Sequence, residues 1–148
     1  MLKKLTKTKA PPATILIRIM VGAVFISEGI QKFLRADEVG AGRFERIGLP
    51  QPQVLAPTVG VFEVLCGALV LIGLLTRPAV VPLLVIMGVA IWQTKIPILE
   101  NDGFWAMAHA SRNDFCMVMG SLFLLWVGAG KLSVDKKLGS PKPAAPPA

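Results

Sequence analysis

The chain holds one histidine and two cysteines in 148 residues. One histidine excludes a haem held by two histidines of the same chain. Cys66 and Cys116 form no Cys-x-x-Cys, which disfavours a thiol–disulfide enzyme. Along the helices expected below, their depths differ by roughly 13 Å, more than the ~7 Å between Cα atoms that a disulfide spans. They read as inert core thiols. No metal-ligand cluster and no phosphate-cradling glycine loop is present. Charge is also scarce. Charged residues make up 17% of the chain against 53% hydrophobic, and the mean hydropathy is +0.62. A soluble domain usually carries about 25% charged residues.

What the chain has instead is four apolar stretches, at about residues 13–34, 54–75, 78–96 and 113–130. Each approaches the roughly 20 residues that cross a bilayer as a helix. Inside hydrocarbon a helix satisfies its own backbone, and the alternative is a closed barrel. Barrel strands need period-two alternation, which residues 68–75 lack. The fold class is therefore all-α, an integral membrane four-helix bundle. The first stretch is too long for a signal peptide and carries Glu28 and Lys32, so it is read as retained. The organisation expected is a basic cytoplasmic N-terminus at 1–12, a transmembrane domain at 13–132, and a Pro/Ala-rich disordered tail at 133–148.

The net charge of +7 comes largely from the ends of the chain. Lys3, Lys4, Lys7 and Lys9 precede the first span, and Lys131, Lys136, Lys137 and Lys142 follow the last. No nucleic-acid-binding motif accompanies them, so nucleic acid is not expected as a partner. They read as topology signals, with a secondary attraction to membrane lipid. With Arg77 they outnumber Arg35, Arg43, Arg46, Lys95 and Arg112 on the opposite side, which puts both termini in the cytoplasm. The turn at Arg77 makes spans two and three a hairpin. Residues 35–53 form a longer outer loop, in which Phe44 and Ile47 allow a short helix on the membrane surface. Residues 97–112 form a second outer loop that holds Trp105 and His109.

Gly22 and Gly29 share one face of span one, and Gly60 and Gly67 share one face of span two. Small residues let membrane helices approach closely. Glu63 lies between its two glycines on that face and so points at another helix. Glu28 and Lys32 are spaced to pair along one helix. Glu28, Gln31, Lys32, Glu63, Gln93, Lys95, His109, Arg112 and Asp114 all fall toward the outer side. The nine residues admit two readings. They are interhelical ties and interface anchors, or they line a polar pocket that binds a quinone headgroup or small anion, or relays protons. Arg18 stands apart near the cytoplasmic end, where it can snorkel or bind lipid phosphate.

The same residues carry a family resemblance. Glu28-Gly29-x-Gln31-Lys32-Phe33, Gly48-Leu49-Pro50, Glu63-x-x-Cys66-Gly67 and Gly73-Leu74-Leu75-Thr76-Arg77 come first. Thr94-Lys95, Gly103-Phe104-Trp105, His109-x-x-Arg112-x-Asp114-Phe115 and Gly128-x-Gly130-x-x-Ser133-x-Asp135 follow. In order and spacing the chain resembles the DoxX family of small four-helix membrane proteins over about residues 15–135. The resemblance implies a bundle in the bacterial cytoplasmic membrane. Some members are subunits of a thiosulfate:quinone oxidoreductase, and others associate with superoxide dismutase and sulfurtransferase partners. The expected function is an accessory subunit of a membrane redox or oxidative-stress system. A quinone-linked component is the alternative, and a small-solute or proton transporter comes last. Whether the chain is an enzyme, and its oligomeric state, stay open.

Overall fold

The computed structural model describes residues 10–139, and within them the structure is all helical. The helices are α1 (Thr14–Leu34), α2 (Ala41–Arg46), α3 (Pro52–Ile72), α4 (Thr76–Asp102), α5 (Phe104–Ala110), α6 (Arg112–Val127) and α7 (Val134–Gly139). Three of them, α1, α3 and α4, are long and apolar enough to cross a membrane. They make this an integral membrane protein. α6 has 16 residues, fewer than the fourth stretch led one to expect, because Gly128 ends it at φ +83°. The packing runs around a closed circuit: α1 on α3, α3 on α4, α4 on α6, and α6 on α1. Val21, Phe25, Val70, Leu83 and Leu124 are central to the core this circuit encloses.

The closest pairing is α1 with α3, and glycine sets it. A Cβ on Gly22 would stand 2.8 Å from the carbonyl oxygen of Gly67, and one on Gly29 would stand 2.7 Å from that of Gly60. The reciprocal approaches are 3.0 and 3.1 Å. Each glycine thus leaves room for the facing backbone, and the two antiparallel helices meet at two levels.

Several expectations change. α4 does not stop near Ile96 but continues through Pro97 to Asp102. Neighbouring helices and side chains make such prolines tolerable in a membrane, and Asn101 Nδ2 donates to the Pro97 carbonyl at 2.7 Å. The second outer loop is accordingly short and contains α5, which carries Trp105 and His109. α2 exists, but Phe44 is buried against α3 near Ala56 and does not face a membrane surface.

Arg18 is the largest departure. It does not snorkel, and is 2% exposed. Its Nε donates to the carbonyl of Val70 at 2.9 Å, and Nη2 donates to that of Leu71. Nη1 donates to the carbonyls of Ala129 and Leu132. The guanidinium thereby satisfies the last carbonyls of α3, where the helix dipole favours a cation, and fastens the segment after α6 to them. Gly73 makes room for it, since a Cβ there would lie 2.6 Å from Arg18 Cζ.

The first residues of the segment expected as tail from residue 133 are ordered. Ser133 and Asp135 are buried and α7 is helical; residues 140–148 and the lysines at 3–9 lie outside the described residues. Asp135 is drawn in by the start of α4. Its carboxylate accepts from the backbone N–H of Leu75 at 2.8 Å and of Thr76 at 3.1 Å. Leu75 sits at φ +48°, a left-handed conformation that costs a non-glycine residue roughly 1–2 kcal/mol. The Asp135 clamp offsets that cost. Arg77 caps α6 in turn, through the carbonyls of Leu125 and Trp126.

Gly29→Leu should therefore cost about 1–3 kcal/mol of stability through overpacking, read as denaturant unfolding in detergent. Gly88→Leu, at a glycine with nothing within 4 Å of the added Cβ, should unfold like wild type.

Candidate functional site

At the end of the bundle opposite the Gly73–Leu75 turn, the helices enclose a cavity of about 490 Å³. That volume lies in the range of small-molecule sites. α1 contributes Val24, Phe25, Glu28 and Lys32, and α3 contributes Leu55, Val59 and Glu63. α4 supplies Val85 to Lys95 at helical spacing, and α6 supplies Asn113, Asp114 and Met117. α2 and the turn after it close this end with Arg43, Phe44, Ile47 and Leu49. Most of the lining is apolar, and the charged groups are few and convergent.

Two ion pairs anchor it. Lys32 Nζ lies 2.6 Å from Glu63 Oε2, with side chains only 8% and 5% exposed. Lys95 Nζ lies 3.1 Å from Asp114 Oδ2, with side chains 15% and 21% exposed. The first pair follows from the glycine crossing: where Gly29 meets Gly60, the next turn of α1 brings Lys32 to Glu63. The expected Glu28–Lys32 pairing along α1 gives way to this contact. Glu28 lines the cavity half-buried, with no ion pair or hydrogen bond among the described residues, and near enough to Glu63 to repel it. Arg43 reaches the cavity from α2, likewise without a side-chain hydrogen bond or ion pair among the described residues. Three acids and three bases thus line the space.

Five of the nine residues singled out from the sequence meet here: Glu28, Lys32, Glu63, Lys95 and Asp114. The other four do not line the cavity. Gln31 donates to Ser27 Oγ and accepts from Arg35 along α1. Gln93 Nε2 reaches the carbonyl of Ile47 at 3.5 Å, tying α4 to the turn after α2. Arg112 Nη1 stands 2.7 Å from His109 Nε2, and both side chains are exposed. Arg43, Thr94 and Asn113 were missed. Thr94 and Asn113 adjoin charged residues in the motifs above, whereas Arg43 carried only a topology signal. Cys66 is a core thiol, but Cys116 is exposed; neither is in a disulfide. Among the described residues no group of three or more His, Cys, Asp or Glu is placed to hold a metal.

This cavity offers an apolar body site with ammonium donors and carboxylate acceptors at fixed points. The family model for DoxX matches residues 13–95, which span α1 to most of α4 and include Glu28, Lys32, Glu63 and Lys95. The chain belongs to the DoxX family. It is 51% identical over 141 residues to the "Uncharacterized membrane protein Rv3486" of Mycobacterium tuberculosis, covering 91% of this chain and 86% of that protein. It is 30% identical over 124 residues to "Putative oxidoreductase CatD" of Bacillus subtilis, covering 82% and 84% of the two chains. No solved structure matches it. As a DoxX protein with at least three spans, it is a multi-pass protein of the bacterial inner membrane.

The burial of the two pairs sets their sensitivities. Lys32→Met should cost roughly 3–5 kcal/mol, because it strands the Glu63 carboxylate without a partner. Lys95→Met should cost about 1 kcal/mol, since Asp114 keeps access to solvent. Unfolding of both variants in detergent tests the difference.

Proposed function

We propose that this DoxX protein is a membrane component of a redox system, and that its cavity holds the headgroup of a quinone. The observation that carries the reading is the cavity itself. It sets the ammonium groups of Lys32 and Lys95 on walls of valine, leucine and phenylalanine. A quinone has an apolar ring and two carbonyl oxygens that accept hydrogen bonds. Lys32 and Lys95 are the donors suited to those oxygens, and Phe25, Phe44 and Val59 are the surfaces suited to the ring. A bound quinone supplies a two-electron carrier. The chain's own residues orient it and keep water away, and Glu63 holds Lys32 in place. The name of the Bacillus subtilis relative supports a redox setting, and protein partners would complete the electron path.

In this reading α6 crosses as the fourth span, closing the circuit that α1, α3 and α4 begin. Both termini are cytoplasmic, as the basic residues flanking the spans favour, and the cavity lies toward the outer face.

The test is purification in mild detergent, with co-extracted quinones and proteins identified by mass spectrometry, beside a Glu63→Gln variant. Quinone should accompany wild type in near-stoichiometric amount and be depleted in the variant. Protein partners without quinone, equal in both samples, would overturn the cavity assignment. Glu63 would then be an interhelical tie within an accessory subunit.

A further inference from the structure

Exposed residues of the cavity lining fall in two places. One is its polar end, where Arg43 and Asn113 are exposed. The other is its side wall. Among the large apolar residues that line it, only Val85 and Val89 are exposed, at 62% and 46%. Both stand on α4 in a stripe with Val81 and Trp92, also exposed.

Depth distinguishes the two. α3 and α4 form an antiparallel hairpin that turns at Leu74. Glu63 and Val85 are equally distant from Leu74 along the chain, and so are Val59 and Val89. At 1.5 Å per residue, Val85 lies about 16.5 Å from the turn, near the middle of a hydrocarbon core about 30 Å thick. The rim at Val85 and Val89 therefore faces acyl chains, with Val85 level with Glu63 and Val89 level with Val59. Across the cavity, Leu55 and Val59 of α3 keep the wall apolar. At the polar end Gln93 binds the carbonyl of Ile47, drawing the turn after α2 onto α4.

We infer that the ligand enters and leaves sideways, from within the bilayer, past Val85 and Val89. The class of ligand that fits is a membrane-dissolved quinone with a long isoprenoid tail. Its headgroup lies against Lys32 and Glu63, and its tail leaves over the two valines into lipid. This rests on the reading of the cavity as a quinone site and adds the tail and its route. No water-exposed path has to open for exchange.

The experiment uses the full chain in liposomes and two probes. One is a long-tailed benzoquinone dissolved in the bilayer, and the other is the same headgroup without a tail, added from water. Binding is read as covalent labelling of the chain by a photoactivatable azido group carried on the headgroup of each probe. The variants are Val85→Trp and, with a smaller side chain, Val89→Phe; Leu65→Trp, on an exposed position of α3 outside the cavity lining, is the control. Both valines are exposed at the rim of the cavity, so added bulk obstructs the rim without entering the buried core. Wild type should bind both probes. Val85→Trp and Val89→Phe should weaken the tailed probe by about tenfold or more while leaving the tailless one within about twofold. Equal loss of both probes, or no loss of either, would overturn the lateral route. Binding of the tailless probe alone by wild type would overturn it while leaving the quinone cavity standing. Binding of neither by wild type would remove both readings.

Discussion

A carboxylate midway through a hydrocarbon layer must be neutralised where it stands, and Lys32 does this for Glu63 at 2.6 Å. Neither group can leave the helix interface, because both side chains are buried against the α1–α3 contact. The contact in turn exists because Gly29 and Gly60 let the two backbones meet. A larger residue at either glycine would separate the helices and lengthen the ion pair. Close packing and charge pairing are here one constraint seen from two sides.

The same rule governs the other end of the molecule, with different partners. Arg18 is buried, yet its guanidinium donates to carbonyl oxygens at the end of α3 and in the segment after α6. Asp135 takes the opposite role at the start of α4, accepting from N–H groups that have no helical partner. One end is therefore polar but filled, with Arg18, Arg77 and Asp135 spent on backbone. The other is polar and hollow, with Glu28 and Arg43 at the cavity wall and unpaired among the described residues. That difference is what supports proposing a ligand site at the hollow end, while the filled end is a structural clasp.

The parts of this arrangement that were legible in the sequence are those set by period and composition. The three long spans followed from apolar length, and the glycine faces from heptad spacing. Glu63 was placed at an interface because it shares a face with Gly60 and Gly67. Contacts between distant segments were not legible. Lys32 has a local partner in Glu28 by spacing, and only the helix crossing shows that Glu63 competes for it successfully. Arg18 looked like a snorkelling residue because nothing in its neighbourhood announces four carbonyls from residues 70–71 and 129–132. Residues 133–139 looked like tail because their composition is polar, while their anchor is a helix start sixty positions earlier. Pro97 looked like a boundary, but in a packed membrane helix it is tolerated.

Reversal of the central pair tests this account most directly. Lys32→Glu and Glu63→Lys should each destabilise the protein severely in detergent, because each places two like charges at one buried contact. The double variant restores opposite charges across the same glycine crossing, and should recover most of the lost stability as a strong coupling between the two sites. A double variant as unstable as the sum of the singles would contradict the account, and would mean that Lys32 and Glu63 do not depend on each other in the folded protein.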